Sequence, residues 1–279
     1  REEQDFLQRN LFLVSLKKDI DLNVEFKDIS TPLTSSEELK SFYKELEFNS
    51  FIGESNEKRV TQYRSIKDID ELKKIEDEIE HASYFAFDTE TTSLNAYEAE
   101  LVGASFSFKK DTGVYIPINH VEQTELNANE VISWLKGVLE KNQSKIIGQN
   151  LKYDIGVLKE YGINIMEFYA DTMLMSYSLN STATRHNMDA MSEHYLNITT
   201  IKYEDVIGKG VNKYKNFSEV PIKDATNYAA EDSDITLQLF EKMNSLLDDK
   251  TKKLLKELDY KLLFVLLEME ERGTLIDIS

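Results

Sequence analysis

The chain has 279 residues, enough for one large domain or two small ones. It contains no cysteine, which excludes disulfides and thiol catalysis, and its four histidines (His81, His120, His186 and His194) form no close pair suited to zinc. Fifty-one acids against 33 lysines and arginines leave a net charge of −18, which argues against a broad, nonspecific duplex-binding surface.

The chain opens on Arg1 rather than methionine, and the expectation is an excised fragment. Residues 1–57 read as a small N-terminal connector or subdomain, with a helical opening and a break at Ile29-Ser30-Thr31-Pro32. Ser35 and Glu38 have the spacing of a capping box for a helix through Phe48. Ile69, Leu72, Ile75 and Ile79 then predict a helix over 67–81. The aromatic run from Ser83 to Phe87 predicts a buried strand that leads into Asp88-Thr89-Glu90. Residues i and i+2 of a strand share a face, so Asp88 and Glu90 can present paired hard oxygen ligands of the kind magnesium and manganese prefer. Taken alone, the pair also reads as an exposed acidic turn.

Two further strands are expected over 101–108 and 114–118, joined by the turn Lys110-Asp111-Thr112-Gly113. A helix over 129–140 follows, with Val131, Trp134, Leu135 and Val138 on its apolar stripe and Trp134 in the core. Lys145 to Gly148 reads as a short strand, Gly148-Gln149-Asn150 as a turn, and Leu151 to Tyr161 as a helix with Asp154 in its first turn. Helix-end charge compensation would by itself account for Asp154. From Asp224 to Met243 a helical stripe places Tyr228 and Asp232 one turn apart on one face, with Glu231 and Asp234 expected as solvated charges. A core tyrosine and a surface aspartate are the plain alternative. Leu254 to Arg272 predicts a last helix, stopped by Gly273. Its run Leu262–Leu267 is too short for a membrane span, no other stretch approaches one, and no signal peptide is visible, so the cytoplasm is the expected location. The strand and helix order predicts an α/β fold: a mixed sheet flanked by helices, like ribonuclease H.

Four carboxylates from three separated segments, with a tyrosine four residues ahead of the last, suggest a two-metal site for cutting phosphodiesters. The words that carry them, Phe85-Ala86-Phe87-Asp88-Thr89-Glu90-Thr91, Gly148-Gln149-Asn150-Leu151-Lys152-Tyr153-Asp154 and Tyr228-Ala229-Ala230-Glu231-Asp232, resemble the three exonuclease motifs of bacterial DNA polymerase I (family A). Asp171-Thr172-Met173-Leu174, Arg185-His186-Asn187-Met188-Asp189 and Gly208-Lys209-Gly210 are similar to intervening words of that family, and the likeness covers roughly Lys58 to Leu247.

The resemblance implies a 3′–5′ proofreading exodeoxyribonuclease that releases nucleoside monophosphates with two divalent cations, Mg2+ or Mn2+. Asp88, Glu90 and Asp232 would hold the tighter metal, Asp88 would bridge to the second, and Asp154 would help to position it. Tyr228 and Glu90 would orient the attacking water. Leu94 would wedge against the terminal base, and Thr91, Gln149, Asn150, Tyr153, Arg185 and Tyr203 would meet the strand, with Tyr203 replacing a frequent phenylalanine. Asn227 stands where a related subclass has histidine, so the tyrosine subclass fits. Lys152, Arg185, Lys202, Lys209, Lys213 and Lys215 are candidates for local positive charge, with surface solubility the plain reading of most of them.

The implied partners are a single-stranded or frayed DNA 3′ end and the polymerase domain of a parent chain. The implied organisation is a connector (1–57), an exonuclease domain (58–249) and the start of a truncated polymerase region (250–279) that has no polymerase chemistry of its own. Two other readings stay open: an RNA-trimming relative, and a catalytically silent scaffold.

Overall fold

The computed structural model describes residues 2–17, 19–20, 24, 37–46, 48, 59–210 and 213–277. It contains two compact units, Arg1–Glu54 and Ser55–Ser279. In the first, helix α1 (Glu2–Val14) is followed by Ser15, whose hydroxyl donates to the Leu11 carbonyl at 2.6 Å. Helix α2 (Glu37–Glu45) ends before the expected Phe48, because the Phe48 amide folds back onto the Tyr43 carbonyl at 2.8 Å and closes the last turn. The expected Ile29–Pro32 break and Ser35 cap lie outside the described residues.

The second unit is built on a six-stranded sheet in the order β1-β4-β3-β2-β5-β6. Its strands are β1 (Gln62–Ser65), β2 (Phe85–Thr91), β3 (Leu101–Ser107), β4 (Thr112–Pro117), β5 (Ile146–Gly148) and β6 (Ala170–Asp171). Strands β2, β3 and β4 form an antiparallel meander, while β1, β5 and β6 join by parallel pairing, so the sheet is mixed as expected. β1 was not legible in the sequence: Gln62-Tyr63-Arg64-Ser65 is short and polar, and only its pairing with β4 makes it a strand. β2 runs further than its apolar core suggests, since β3 pairs with it as far as Thr91; both acids therefore lie inside the strand.

The two faces of the sheet differ in side-chain size, and this decides what covers each. One face carries Phe85, Phe87 and Phe106, with ring centroids 5.8 and 5.2 Å from Phe106, and Trp134 packs edge-on to Phe106 at 6.2 Å. Helices α3 (Ile69–His81) and α4 (Ala128–Asn142) belong to this side, where the Trp134 indole donates to Glu76 of α3 at 3.1 Å. Trp134 is thus a packing residue, as expected. α3 starts at Ile69 rather than Lys67 because the Asp68 carboxylate accepts the Glu71 amide and caps it.

Small residues such as Ala86, Ser105 and Gly113, together with the larger Tyr115, line the other face. A Cβ on Gly113 would lie 2.5 Å from the Ala230 carbonyl, so the glycine lets helix α9 (Ile222–Leu246) press directly on β4. Cross-strand neighbours share a face, so Asp88, paired with Ser105, which is in turn paired with Tyr115, lies on this face beneath α9. The remaining helices are α5 (Leu151–Glu160), α6 (Thr172–Leu179), α7 (Met188–Met191, continued by a π-turn over Ser192–Leu196) and α8 (Tyr203–Ile207). Helix α10 (Asp249–Leu254), a π-turn over Leu255–Asp259 and α11 (Tyr260–Arg272) complete the unit. The last helical stretch begins five residues before the expected Leu254, because Asp248 accepts the Thr251 amide at 2.7 Å and caps it there; Gly273, at φ 63°, ends it as expected. Among the described residues, no helix is long and apolar enough to cross a membrane.

Candidate active site

β2 and β5 run parallel and pair only through Phe85 and Ala86. β5 stops at Gly148, so the β2 edge beyond Ala86 has no strand partner on that side. Asp154, in the first turn of α5, fills this crevice: its Oδ1 accepts both the Thr89 amide (3.2 Å) and the Thr89 hydroxyl (2.5 Å). The chain enters α5 through Asn150 in the left-handed region (φ 62°). Buried Asp171 anchors that entry, one oxygen accepting the Leu151 amide at 2.8 Å and the other capping α6 through the Leu174 amide at 3.0 Å. Sequence analysis gave Asp171 no role, although its place just before a helix has the pattern of an N-cap.

Asp88 and Glu90 project from β2 toward α9, which brings Asp232. Ligand oxygens of Asp88, Glu90 and Asp232 all lie within 4.8 Å of one another. Tyr228 stands one turn earlier on the same face of α9, where its phenol and the Asp232 carboxylate interact electrostatically. The four expected acids thus converge, but not equivalently: three form the tight cluster, and Asp154 borders it, held by Thr89. Burial raises the pKa of all four well above the ordinary carboxylate range, and neighbouring carboxylates push in the same direction; for Asp154 the Thr89 bonds offset part of this. Burial also raises the Tyr228 pKa, with the nearby carboxylates adding to it, so the phenol stays protonated.

Two unit charges 4.8 Å apart repel by about 3.5 kcal/mol at an effective dielectric of about 20, so three ionised carboxylates cannot coexist there without a counterion. Glu90 Oε1 is buried with no hydrogen-bond partner, and so is the hydroxyl of Ser105, the residue paired with Asp88. An all-oxygen donor set with an orphaned carboxylate oxygen fits a hard divalent cation.

The strand-contact candidates are distributed around this cluster. Tyr203, 46% exposed, stacks on Phe217 at 6.4 Å and meets Tyr228 edge-on at 6.2 Å. Leu94 is 96% exposed, an unusual state for leucine, on the loop after β2. Tyr153 is hydrogen-bonded to the Thr91 hydroxyl and to the Ser93 carbonyl, which ties α5 to that loop. Gln149 donates to the His186 carbonyl at 3.0 Å and accepts from Thr172, so its amide is already engaged. Arg185 is exposed and has no acidic partner among the described residues. Of the lysines considered, Lys152 and Lys209 are neutralised by Glu270 and Asp205.

One expectation is overturned. Glu231 and Asp234 are not solvated: Asp234 is fully buried and Glu231 nearly so. Asp234 accepts from Arg59 (2.6 Å), Tyr63 (2.7 Å), Gln238 (2.8 Å) and the Asp111 amide (2.9 Å). Arg59 is 175 residues away in sequence, so no local pattern could reveal the pairing.

The mixed sheet thus carries clustered acids inside β2, facing a helix with a tyrosine and an aspartate one turn apart. The family described as 3′-5′ exonuclease matches residues 63–248, and the chain belongs to this exonuclease domain family of DNA polymerase I. It is 35% identical over 302 residues to DNA polymerase I of Pseudomonas aeruginosa, covering 99% of this chain and 32% of that protein. The chain therefore spans about a third of that relative's length. Among solved structures, Pol1 of M. smegmatis, in complex with DNA primer-template and dNTP, superposes with a TM-score of 0.59 at 18% identity, over 77% of this chain and 33% of that one. Escherichia coli RNase D, an exoribonuclease, gives 0.53 at 17% identity, over 77% and 52%. These likenesses bear out the ribonuclease H-like fold.

Proposed function

We propose that the chain is a two-metal 3′–5′ exodeoxyribonuclease that removes nucleoside monophosphates from frayed or single-stranded DNA 3′ ends. The observation that carries this reading is the Asp88–Glu90–Asp232 cluster, Glu90 buried and the two aspartates half-buried, with an orphaned Glu90 oxygen and no cationic partner among the described residues. Asp88, Glu90 and Asp232 would hold one divalent cation, and Asp88 with Asp154 the second. Such ions supply an ionised water and charge stabilisation at the phosphate and the leaving 3′ oxygen. Thr89 keeps the Asp154 carboxylate turned to the site. Tyr228, protonated beside Asp232, has a phenolic oxygen able to accept a hydrogen bond, and so to orient a water. Tyr203 and Leu94 offer apolar surface to an unpaired terminal base, and Thr91, Gln149, Asn150, Tyr153 and Arg185 would meet the strand, as the family resemblance implies.

Residues 58–249 would form the exonuclease domain, with 1–57 as connector and 250–279 leading toward a polymerase domain of a longer cytoplasmic chain. The match to DNA polymerase I over nearly the whole chain favours DNA over RNA. Digestion of end-labelled single-stranded DNA and RNA, with Mg2+, Mn2+ or chelator, tests this. Metal-dependent mononucleotide release from DNA 3′ ends is expected; preference for RNA, or no cleavage of either, would overturn it.

A further inference from the structure

Tyr203 can meet a terminal base only if the segment before it is held against α9, and two carboxylates, buried Glu231 and half-buried Asp189, hold that segment. Glu231 Oε2 accepts the Ile201 amide at 2.6 Å. Asp189 accepts the hydroxyl of Thr200, itself buried, at 2.7 Å. Glu231 is the residue immediately before Asp232, so one turn of α9 carries both the metal-cluster aspartate and the anchor of the segment leading to Tyr203. Arg59 closes the arrangement from behind: its guanidinium is bound to Asp234 at 2.6 Å and to Asp111 at 2.9 Å, and stands 3.8 Å from Glu231 Oε1. Arg59 lies ahead of the matched residues 63–248, so the chain that leads into the domain takes part in bracing the helix.

We propose that Glu231, braced by Arg59, is a positioning residue that fixes the Thr200–Tyr203 segment relative to Asp232, and so sets how the terminal base is received beside the cluster. Glu231 touches neither reacting atoms nor the base; it acts through the Ile201 amide and Tyr203. This rests on the exonuclease reading, and its test separates the two.

The test is steady-state cleavage of a single-stranded oligodeoxynucleotide by the full chain. Glu231→Ala leaves the part-buried Ile201 amide without its side-chain acceptor, a loss equivalent to about a 2- to 10-fold change in binding. KM is expected to rise by that factor, with kcat falling no more than about threefold, because the metal cluster is intact. Glu231→Gln keeps an acceptor oxygen and is expected to restore KM to within about twofold. In the background of Tyr203→Ala, the Glu231→Ala penalty should disappear, since both act on one contact. Thr200→Val, which removes the hydroxyl bound by Asp189 at nearly constant volume, provides a milder second variant should Glu231→Ala not fold; its KM rise should likewise vanish without Tyr203. Penalties that fall on kcat, or that add fully to Tyr203→Ala, would overturn the positioning role. Inactive wild-type protein would overturn the exonuclease reading itself.

Discussion

Asp232 and Asp234 are two residues apart on one helix, the first half-buried and the second fully buried, and the chain treats them oppositely. Asp234 is surrounded by a guanidinium, a phenol, a carboxamide and a backbone amide. Asp232 faces two further carboxylates and has no cationic partner among the described residues. A buried charge with an internal cation serves the fold, because removing either partner strands the other. A buried cluster of like charges with no internal cation costs the fold stability, and it makes sense where a cation comes from outside. The contrast separates an acid paired within the fold from one left to an outside partner under the proposed function.

Substitutions at the two aspartates should therefore diverge, and this is the largest effect expected. Asp232→Asn should reduce cleavage by on the order of 1,000-fold or more, while the melting temperature of the metal-free protein holds or rises through lost repulsion. Asp234→Asn should remove one of the carboxylates that bind Arg59, leaving Asp111, and destabilise the protein by about 2 kcal/mol, read as a fall in Tm, with chemistry surviving in whatever remains folded. If both variants lost stability alike, the distinction between the two acids would fail.

Tyr228→Phe comes next. It keeps the ring packed beside Tyr203 and Phe217 and removes only the hydroxyl. Single-turnover cleavage at saturating metal should fall on the order of 10- to 1,000-fold, with DNA affinity little changed. Wild-type speed would remove the hydroxyl from the mechanism.

The pH dependence sharpens the comparison further. The four cluster carboxylates have raised pKa values in the native state, so the native protein retains protons that the unfolded chain releases. Their contribution to stability is therefore lost as pH rises from the ordinary carboxylate range, about 4, through the raised values. A divalent cation needs these groups ionised, so the increase in Tm on adding Mn2+ should grow from about pH 5 to about pH 8. In Asp88→Asn, that growth should shrink. A metal increment independent of pH would argue that the ion binds elsewhere.

Much of the site was legible in the sequence, because its acids lie in short words whose local geometry is fixed by period: i, i+2 on β2 and i, i+4 on α9. Distance and equivalence were not legible. That Asp154 sits at the border of the cluster follows from β5 ending early and freeing the Thr89 amide, which no spacing encodes. The charges read as solvated, Glu231 and Asp234, were misplaced because their partners Ile201 and Arg59 come from distant segments. β1 escaped for a related reason, since a polar tetrapeptide becomes a strand only through β4.

The smallest effect concerns substrate form. Unpairing a terminal base costs a few kcal/mol, and a mismatch lowers that cost, so mismatched 3′ ends should be cut faster than paired ones. Leu94→Ala, which removes an exposed apolar side chain, should narrow the ratio by about two- to fivefold, measured on matched and mismatched duplexes. Equal rates on both ends in the parent protein would contradict the frayed-end requirement.

The most direct test of the central claim is a calorimetric Mn2+ titration of the wild-type protein beside Asp232→Asn and Asp234→Asn. An external cation completing the Asp88–Glu90–Asp232 cluster predicts saturable binding to the wild type, loss or strong weakening in Asp232→Asn, and retention in folded Asp234→Asn. Undiminished binding to Asp232→Asn would contradict it.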